Sequence, residues 1–301
     1  MCKKIYTKTI TLFIMENPFE PLIYKEEKSE QEVLGFWTEE RMNRAKPMPI
    51  PEYDIPGDEA AEPDLTRSPE NIPSSKFGDS PYRFIAEIYS VIDGVEYVTS
   101  GCVFSSPAYN QNFAAVLTSG STVYNPQTNA QADKNGITIK IYNENGGAER
   151  YACKFWIVAR DWVYRQDYDQ NYSILLIQPI FAGSDYGAPE LDFTVKTNNV
   201  TLNYYGHRLT NNDTSSVLQV VSGVTKFSQL SNFYIKTNTN LPLSSTVGGP
   251  ILAPAGVNGS PSIQGLASYR KTGSTMLYSP LLRLDVMLYL ERIVQYGLKN
   301  S

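Results

Sequence analysis

Cysteine is scarce here: Cys2, Cys102 and Cys153 are an odd set of three without metal-ligand spacing. That excludes a disulfide framework and leaves buried or incidental thiols. Histidine is scarcer still, with His207 alone. It follows Tyr204-Tyr205-Gly206 in what reads as a turn, where a lone imidazole serves structure. A basic surplus is also missing. The formal net charge is −5, and the stretch Pro47–Pro73 holds seven acidic residues (Glu52, Asp54, Asp58, Glu59, Glu62, Asp64, Glu70) against one basic residue, Arg67. The rest of the chain is close to neutral and offers little to neutralise phosphates, which excludes nucleic acid as a partner class. No apolar run is long enough to span a bilayer. Nothing in the residue pattern asks for a cofactor or a metal. At the start, Lys3 and Lys4 precede an apolar stretch, but Lys8 interrupts it and no small-x-small cleavage site follows. Sequons at Asn171, Asn199, Asn212 and Asn258 would matter only in a secretory compartment.

What the chain does have is apolar and aromatic content, 42% and 12%, with 21 tyrosines. This is enough to bury a core and suits β-structure. One helix is expected early, over Glu30–Lys46, with Thr38 as a possible cap, Glu39 and Glu40 at a positive end, and Arg44 and Lys46 at a negative one. Pro47 stops it. From Pro47 to Pro73, seven prolines and little apolar content predict an extended, solvated linker. A compact domain then begins near Ser80. Short β-prone runs follow, the first two, 83–92 and 95–104, flanking Asp93-Gly94, a two-residue hairpin signal. Further runs recur between turn residues as far as 276–278, which indicates an all-β sandwich or barrel. The chain closes on a helix over 279–297, with Ser279 as cap, Pro280 first and Gly297 as stop. Leu281, Leu282, Val286, Leu290 and Ile293 form the stripe that docks it.

Three segments narrow the fold. Thr99-Ser100-Gly101 and then Val116-Leu117-Thr118-Ser119-Gly120-Ser121-Thr122-Val123 resemble the trypsin-like protease pattern C-S-G followed by V-L-T-A-A-H-C-V. Asn171-Tyr172-Ser173-Ile174-Leu175-Leu176 is similar to the D-x-A-L-L strand of that family. Ser245-Thr246-Val247-Gly248-Gly249-Pro250 is similar to G-D-S-G-G-P, and Gly265–Tyr269 resembles the strand lining the substrate groove. Upstream, Gly35–Met42 and Ala45-Lys46-Pro47 resemble the pro-region of secreted glutamyl-endopeptidase-like members. The pieces occur in the family's order. The resemblance implies an all-β, chymotrypsin-like double six-stranded β-barrel with a C-terminal helix. Residues 1–46 would form an N-terminal extension and 47–80 an acidic Pro-rich linker. The double barrel would span 81–301, its first barrel about 81–190 and its second about 191–278.

The same alignment empties the catalytic positions. Ser-His-Asp chemistry needs a hydroxyl nucleophile, an imidazole base and a carboxylate that orients it. The resemblance puts Val247 at the nucleophile, Ser121 at the base and Asn171 at the acid. Val247 cannot attack, Ser121 cannot serve as a base near neutral pH, and Asn171 carries no charge. The implied protein is a pseudoprotease, a peptide- or protein-binding or regulatory module. The alternative is a serine-type hydrolase with a relocated nucleophile such as Ser245. Ser245 also replaces a glycine, which predicts a malformed oxyanion pocket. The binding residues carried over are those of the groove strand, Ser268, Tyr269 and Arg270. Arg270, with Lys271 after it, stands where the family keeps an open glycine. It implies a groove that favours carboxylates, with the tethered acidic stretch as a built-in occupant. The family's disulfide is missing at both ends, as Thr99 and Thr122. Family members are secreted, but this loss and the absent signal peptide tip the expected location toward the cell interior.

Overall fold

A computed structural model describes residues 21–53, 70–105, 113–133, 135–178, 188–192, 201–210, 213–227, 234–237, 247–253, 261–272, 277–280, 282 and 284–300. Two strand systems dominate. In the first, six strands close on themselves: Ala148–Val158, Thr138–Tyr142, Ile85–Ile92, Val95–Phe104, Ala114–Thr118 and Ser173–Ile177, which pairs back onto Ala148–Val158. Closure removes every free edge from this barrel. The Asp93-Gly94 hairpin forms as its sequence predicts, both residues at positive φ (54° and 73°), with Ile92 opposite Val95. Ile88, Val116, Leu117, Ile139, Ile157 and Ile174 are fully buried in the continuous core.

The second system runs Ser262–Leu266, Pro250–Ala253, Thr201–Thr210, Asp213–Phe227, Tyr234–Thr237, Leu277–Pro280 and Tyr269–Lys271. Ser262–Leu266 and Tyr269–Lys271 belong to one segment that changes partners at Ala267-Ser268, and this change closes the ring. The double-barrel layout is therefore present. The closing helix spans Leu284–Asn300, starting later than its sequence signals indicate. Ser279 and Pro280 are instead in the strand before it, where Ser279 Oγ accepts the Leu266 amide at 2.7 Å and donates to Pro280 O at 2.8 Å. A capping side chain was available, but a cross-strand partner claimed it. Val286, Leu290 and Ile293 are fully buried as the stripe requires. Gly297 lies inside this helix, where an added Cβ would meet the Phe113 ring at 3.1 Å, so its role is close packing rather than termination.

The first described residues, from 21 onward, are built onto the first barrel. Leu22–Lys25 extends the sheet alongside Ala148–Val158. The expected single helix is two: α1, Glu30–Phe36, and α2, Glu39–Arg44. Ser29 and Glu32 form a capping box on α1, and Thr38 Oγ1 accepts the Arg41 amide to start α2. Between them Trp37 turns inward, fully buried, its indole donating to Gly136 O at 3.1 Å. The start of the acidic stretch is extended as expected, but it is paired to the barrels rather than free of them. Lys46–Pro47 pairs in parallel with Tyr97 and Val98, Glu52–Tyr53 with Arg270 and Lys271, and Glu70–Asn71 pairs antiparallel with Gln219 and Val220. Met48, Ile50 and Ile72 are buried. Alternating prolines keep this backbone extended, and the apolar residues between them supply its anchors.

His207 lies within the strand Thr201–Thr210 rather than in a turn, and it ties the two barrels together. Its Nδ1 is 3.5 Å from the Glu87 carboxylate, its Nε2 3.4 Å from Ile85 O, and its amide donates to Ser100 Oγ at 2.9 Å. Glu87 is fully buried and takes a Lys140 ion pair at 3.2 Å, the Tyr142 hydroxyl at 3.1 Å and the Tyr89 hydroxyl. Burial of the imidazole, with Lys140 nearby, holds its pKa below the ordinary value in spite of Glu87. Burial alone would push the Glu87 carboxyl up, but His207, Lys140 and Tyr89 together hold it below the ordinary value. Lys140 is the nearer cation to Glu87, at 3.2 Å against 3.5 Å for His207, and burial favours the neutral form of the imidazole.

Candidate functional site

The three positions aligned with the triad come from three turns at the junction of the barrels. Ser121 sits in a short 3-10 turn, Gly120–Thr122, capped by Ser119. Asn171 follows a second 3-10 turn, Tyr168–Gln170, capped by Asp167. The fold brings these two together. Asn171 Oδ1 accepts from Ser119 Oγ and from the Ser121 amide, both at 2.9 Å, and from Ser121 Oγ at 3.2 Å. Its Nδ2 donates to Ser268 O at a long 3.5 Å. Asn171 is fully buried, and no sequence signal had singled out Ser119 as its partner.

Val247 opens a tight turn with Gly248 at φ +83°. Its carbonyl accepts the Ser100 amide at 2.9 Å, while Gly248 N donates to Ala267 O at 2.7 Å and Ala267 N to Gly249 O at 2.8 Å. A Cβ on Gly248 would fall 2.3 Å from Ser100 O and from Thr118 Oγ1, so only glycine fits there. The Val247 side chain has no exposed surface and belongs to an apolar cluster with Leu202, Tyr204, Ile251 and Leu277. Ser245 and Thr246 lie outside the described residues. The two threonines aligned with the family's cysteines also meet: Thr122 Oγ1 donates to Thr99 Oγ1 at 3.2 Å and contacts Thr118 Oγ1 at 3.0 Å. A hydroxyl ladder occupies the place where the alignment puts a disulfide.

In the strand segment that resembles the family's groove strand, Ser268 is fully buried, and its Oγ has no hydrogen-bond partner among the described residues. Tyr269 stacks on Tyr278 at 5.3 Å and lies 5.0 Å from the Tyr168 ring. Arg270 is 3% exposed, so its side chain is packed rather than held open at a mouth. Burial lowers its pKa, and Tyr204 and Glu52 favour its charged form. A cavity of about 350 Å³ lies beside Ser121, walled by Tyr97, Trp162 and Tyr168 on the barrel side and by Met48–Glu52 on the other. The tethered stretch was expected at the groove through its acidic residues; the apolar Met48–Pro51 and Tyr168 were not singled out. A hint lay in Met48-Pro49-Ile50-Pro51, the apolar start of an otherwise acidic stretch.

No family profile matches the sequence, and no curated protein does. Solved structures do match. A thermostable serine protease, AL20, from an extremophilic microorganism shares 17% identity at a TM-score of 0.55, covering 71% of this chain and 97% of its own. A Glu endopeptidase solved in complex with MPD shares 14% at 0.58, covering 74% and 95%. The protease Anisep from Arthrobacter nicotinovorans shares 14% at 0.53, covering 70% and 95%. This chain has the trypsin-like serine protease fold. The junction turns just described carry Val247, Ser121 and Asn171, the residues that the sequence resemblance aligns with nucleophile, base and acid. The one imidazole, His207, is engaged by Glu87 and faces Ile85 O within the buried network.

Proposed function

We propose that this chain is an inactive homologue of trypsin-like serine proteases that acts as a peptide- or protein-binding or regulatory module, with Ser268, Tyr269 and Arg270 as its groove strand. The observation that carries this reading is the Asn171–Ser121 pair beside a buried Val247. The acid and base positions are assembled, yet they hold an amide and a hydroxyl that bond to each other and cannot move a proton to or from a nucleophile near neutral pH. A nucleophile relocated to Ser245 would still need a base, and His207 is committed elsewhere.

Reversal tests the assignment. Triad members act as a unit, so Val247→Ser alone should yield no measurable hydrolysis of peptide or ester substrates. The triple variant Ser121→His, Asn171→Asp, Val247→Ser is expected to give weak, pH-dependent hydrolysis. Activity from Val247→Ser alone would mean that a base is present and that Ser121 has been assigned wrongly.

A further inference from the structure

The groove already holds a segment of its own chain. After α2, residues 46–53 run first along one barrel and then along the other. Met48 N donates to Val98 O at 3.0 Å on the first barrel. On the second, Arg270 N donates to Pro51 O at 2.9 Å and Thr272 N to Tyr53 O at 3.1 Å. Arg270 lies opposite Glu52 and Lys271 opposite Tyr53, in parallel register. The Arg270 and Thr272 amides are edge donors of the strand Tyr269–Lys271 and the residue after it, the groups that an added peptide strand uses. The Tyr53 ring lies 4.6 Å from that of Tyr168, which itself packs on Tyr269.

The two halves of this segment are held differently. Met48 and Ile50 are 6% and 7% exposed and belong to the same apolar cluster as Val247 and Tyr204. They form part of the core. Glu52 and Tyr53 are exposed, Tyr53 by 44%, and they are held by the short backbone pairing with Arg270 and Lys271 and by one ring contact. Few buried contacts and an exposed backbone mark the portion of a fold that opens first.

We infer that Pro51–Tyr53 is a built-in, exchangeable ligand of the groove, and that the partner is an extended peptide presenting an acidic and then an aromatic residue in its place, parallel to Tyr269–Lys271. This rests on reading the groove as a binding surface. The chemistry is legible from the resident segment. Main-chain carbonyls accept from Arg270 and Thr272, a carboxylate lies opposite Arg270, and an aromatic ring covers Tyr168. A tethered segment competes at an effective concentration on the order of millimolar, so it masks the groove against a free peptide until it is weakened.

The test uses the full chain and a fluorescein-labelled peptide of its own sequence Pro49–Asp54, followed by anisotropy. Glu52→Ala/Tyr53→Ala loosens the resident segment and leaves the Met48 and Ile50 anchors in place; an unchanged melting temperature checks the fold. The peptide should bind this variant about tenfold more tightly than wild type, the scale of one lost aromatic contact. A control peptide with Lys and Ala at the acidic and aromatic positions should bind neither protein. Equal affinities for variant and wild type, or no binding to either, would overturn the inference. Mass spectrometry of the recovered peptide keeps the two readings apart. Cleavage would refute catalytic inactivity while supporting occupancy of the groove, whereas an intact, unbound peptide would sink the exchange inference alone.

Discussion

Glu87→Ala should lower the free energy of unfolding by about 3–5 kcal/mol, the cost of removing one partner of a buried ion pair. The carboxylate is fully buried and gathers Lys140, His207, Tyr89 and Tyr142 at the seam of the two barrels. Alanine leaves all four without their acceptor, and only Lys140, 21% exposed, can turn to water. Glu87→Gln keeps an acceptor oxygen and should lose about 1–2 kcal/mol. The same cluster sets a pH dependence. Because the folded-state pKa of His207 lies below its ordinary 6.5, the unfolded chain binds a proton that the folded chain refuses as pH falls through that value. Because Glu87 also titrates below its ordinary 4.5, a second loss follows at lower pH. Both act in one direction, so the melting temperature should fall steadily from pH 7 to pH 4. His207→Gln should flatten the part of that fall nearest pH 6. Urea titrations at several pH values measure both effects, and a Glu87→Ala variant within about 1 kcal/mol of wild type would contradict the account.

The second large effect is expected at Asn171. Replacing it with leucine, of similar branched shape but larger and without an acceptor, should cost about 3 kcal/mol, because Ser119 Oγ, Ser121 N and Ser121 Oγ lose their shared acceptor in a buried site. Asn171→Asp keeps the three donors satisfied but places a second oxygen toward Ser268 O, where Nδ2 now donates at 3.5 Å. It should therefore cost less than leucine, about 1 kcal/mol. This ordering separates a clamp that positions two turns from an amide of no consequence. Equal stabilities for Asn171→Leu and wild type would show that the hydrogen-bond geometry carries no weight.

Much of the double barrel was legible because its signals are local. The Asp93-Gly94 hairpin, the β-prone runs and the stripe Val286–Leu290–Ile293 each follow from a few adjacent residues. Long-range pairing was not legible. Ser279 carries the sequence mark of a helix cap, yet it bonds Leu266 across strands. His207 reads as a turn residue after Gly206, but its strand is fixed by a partner, Leu218, that no local pattern announces. The site splits along the same line. Ser121, Asn171 and Val247 were singled out by their motifs, and the acidic stretch from Glu52 by its charge and tether. Ser119, Tyr168 and the apolar Met48–Pro51 came to light only when the barrels closed on them. In the sequence the Pro47–Pro73 stretch is dominated by its acidic charge, and the two apolar anchors among its first prolines are easily lost within it.

The central claim is that the assembled site has no activated nucleophile, and a serine-directed fluorophosphonate tests it most directly. Intact-mass analysis after incubation at neutral pH should show the unmodified chain, the same as a heat-denatured control, because the hydroxyl of Ser121 is tied to Asn171 and no free imidazole activates a serine. One stoichiometric adduct, absent from Ser245→Ala and from denatured protein, would contradict the claim and make this chain a working hydrolase.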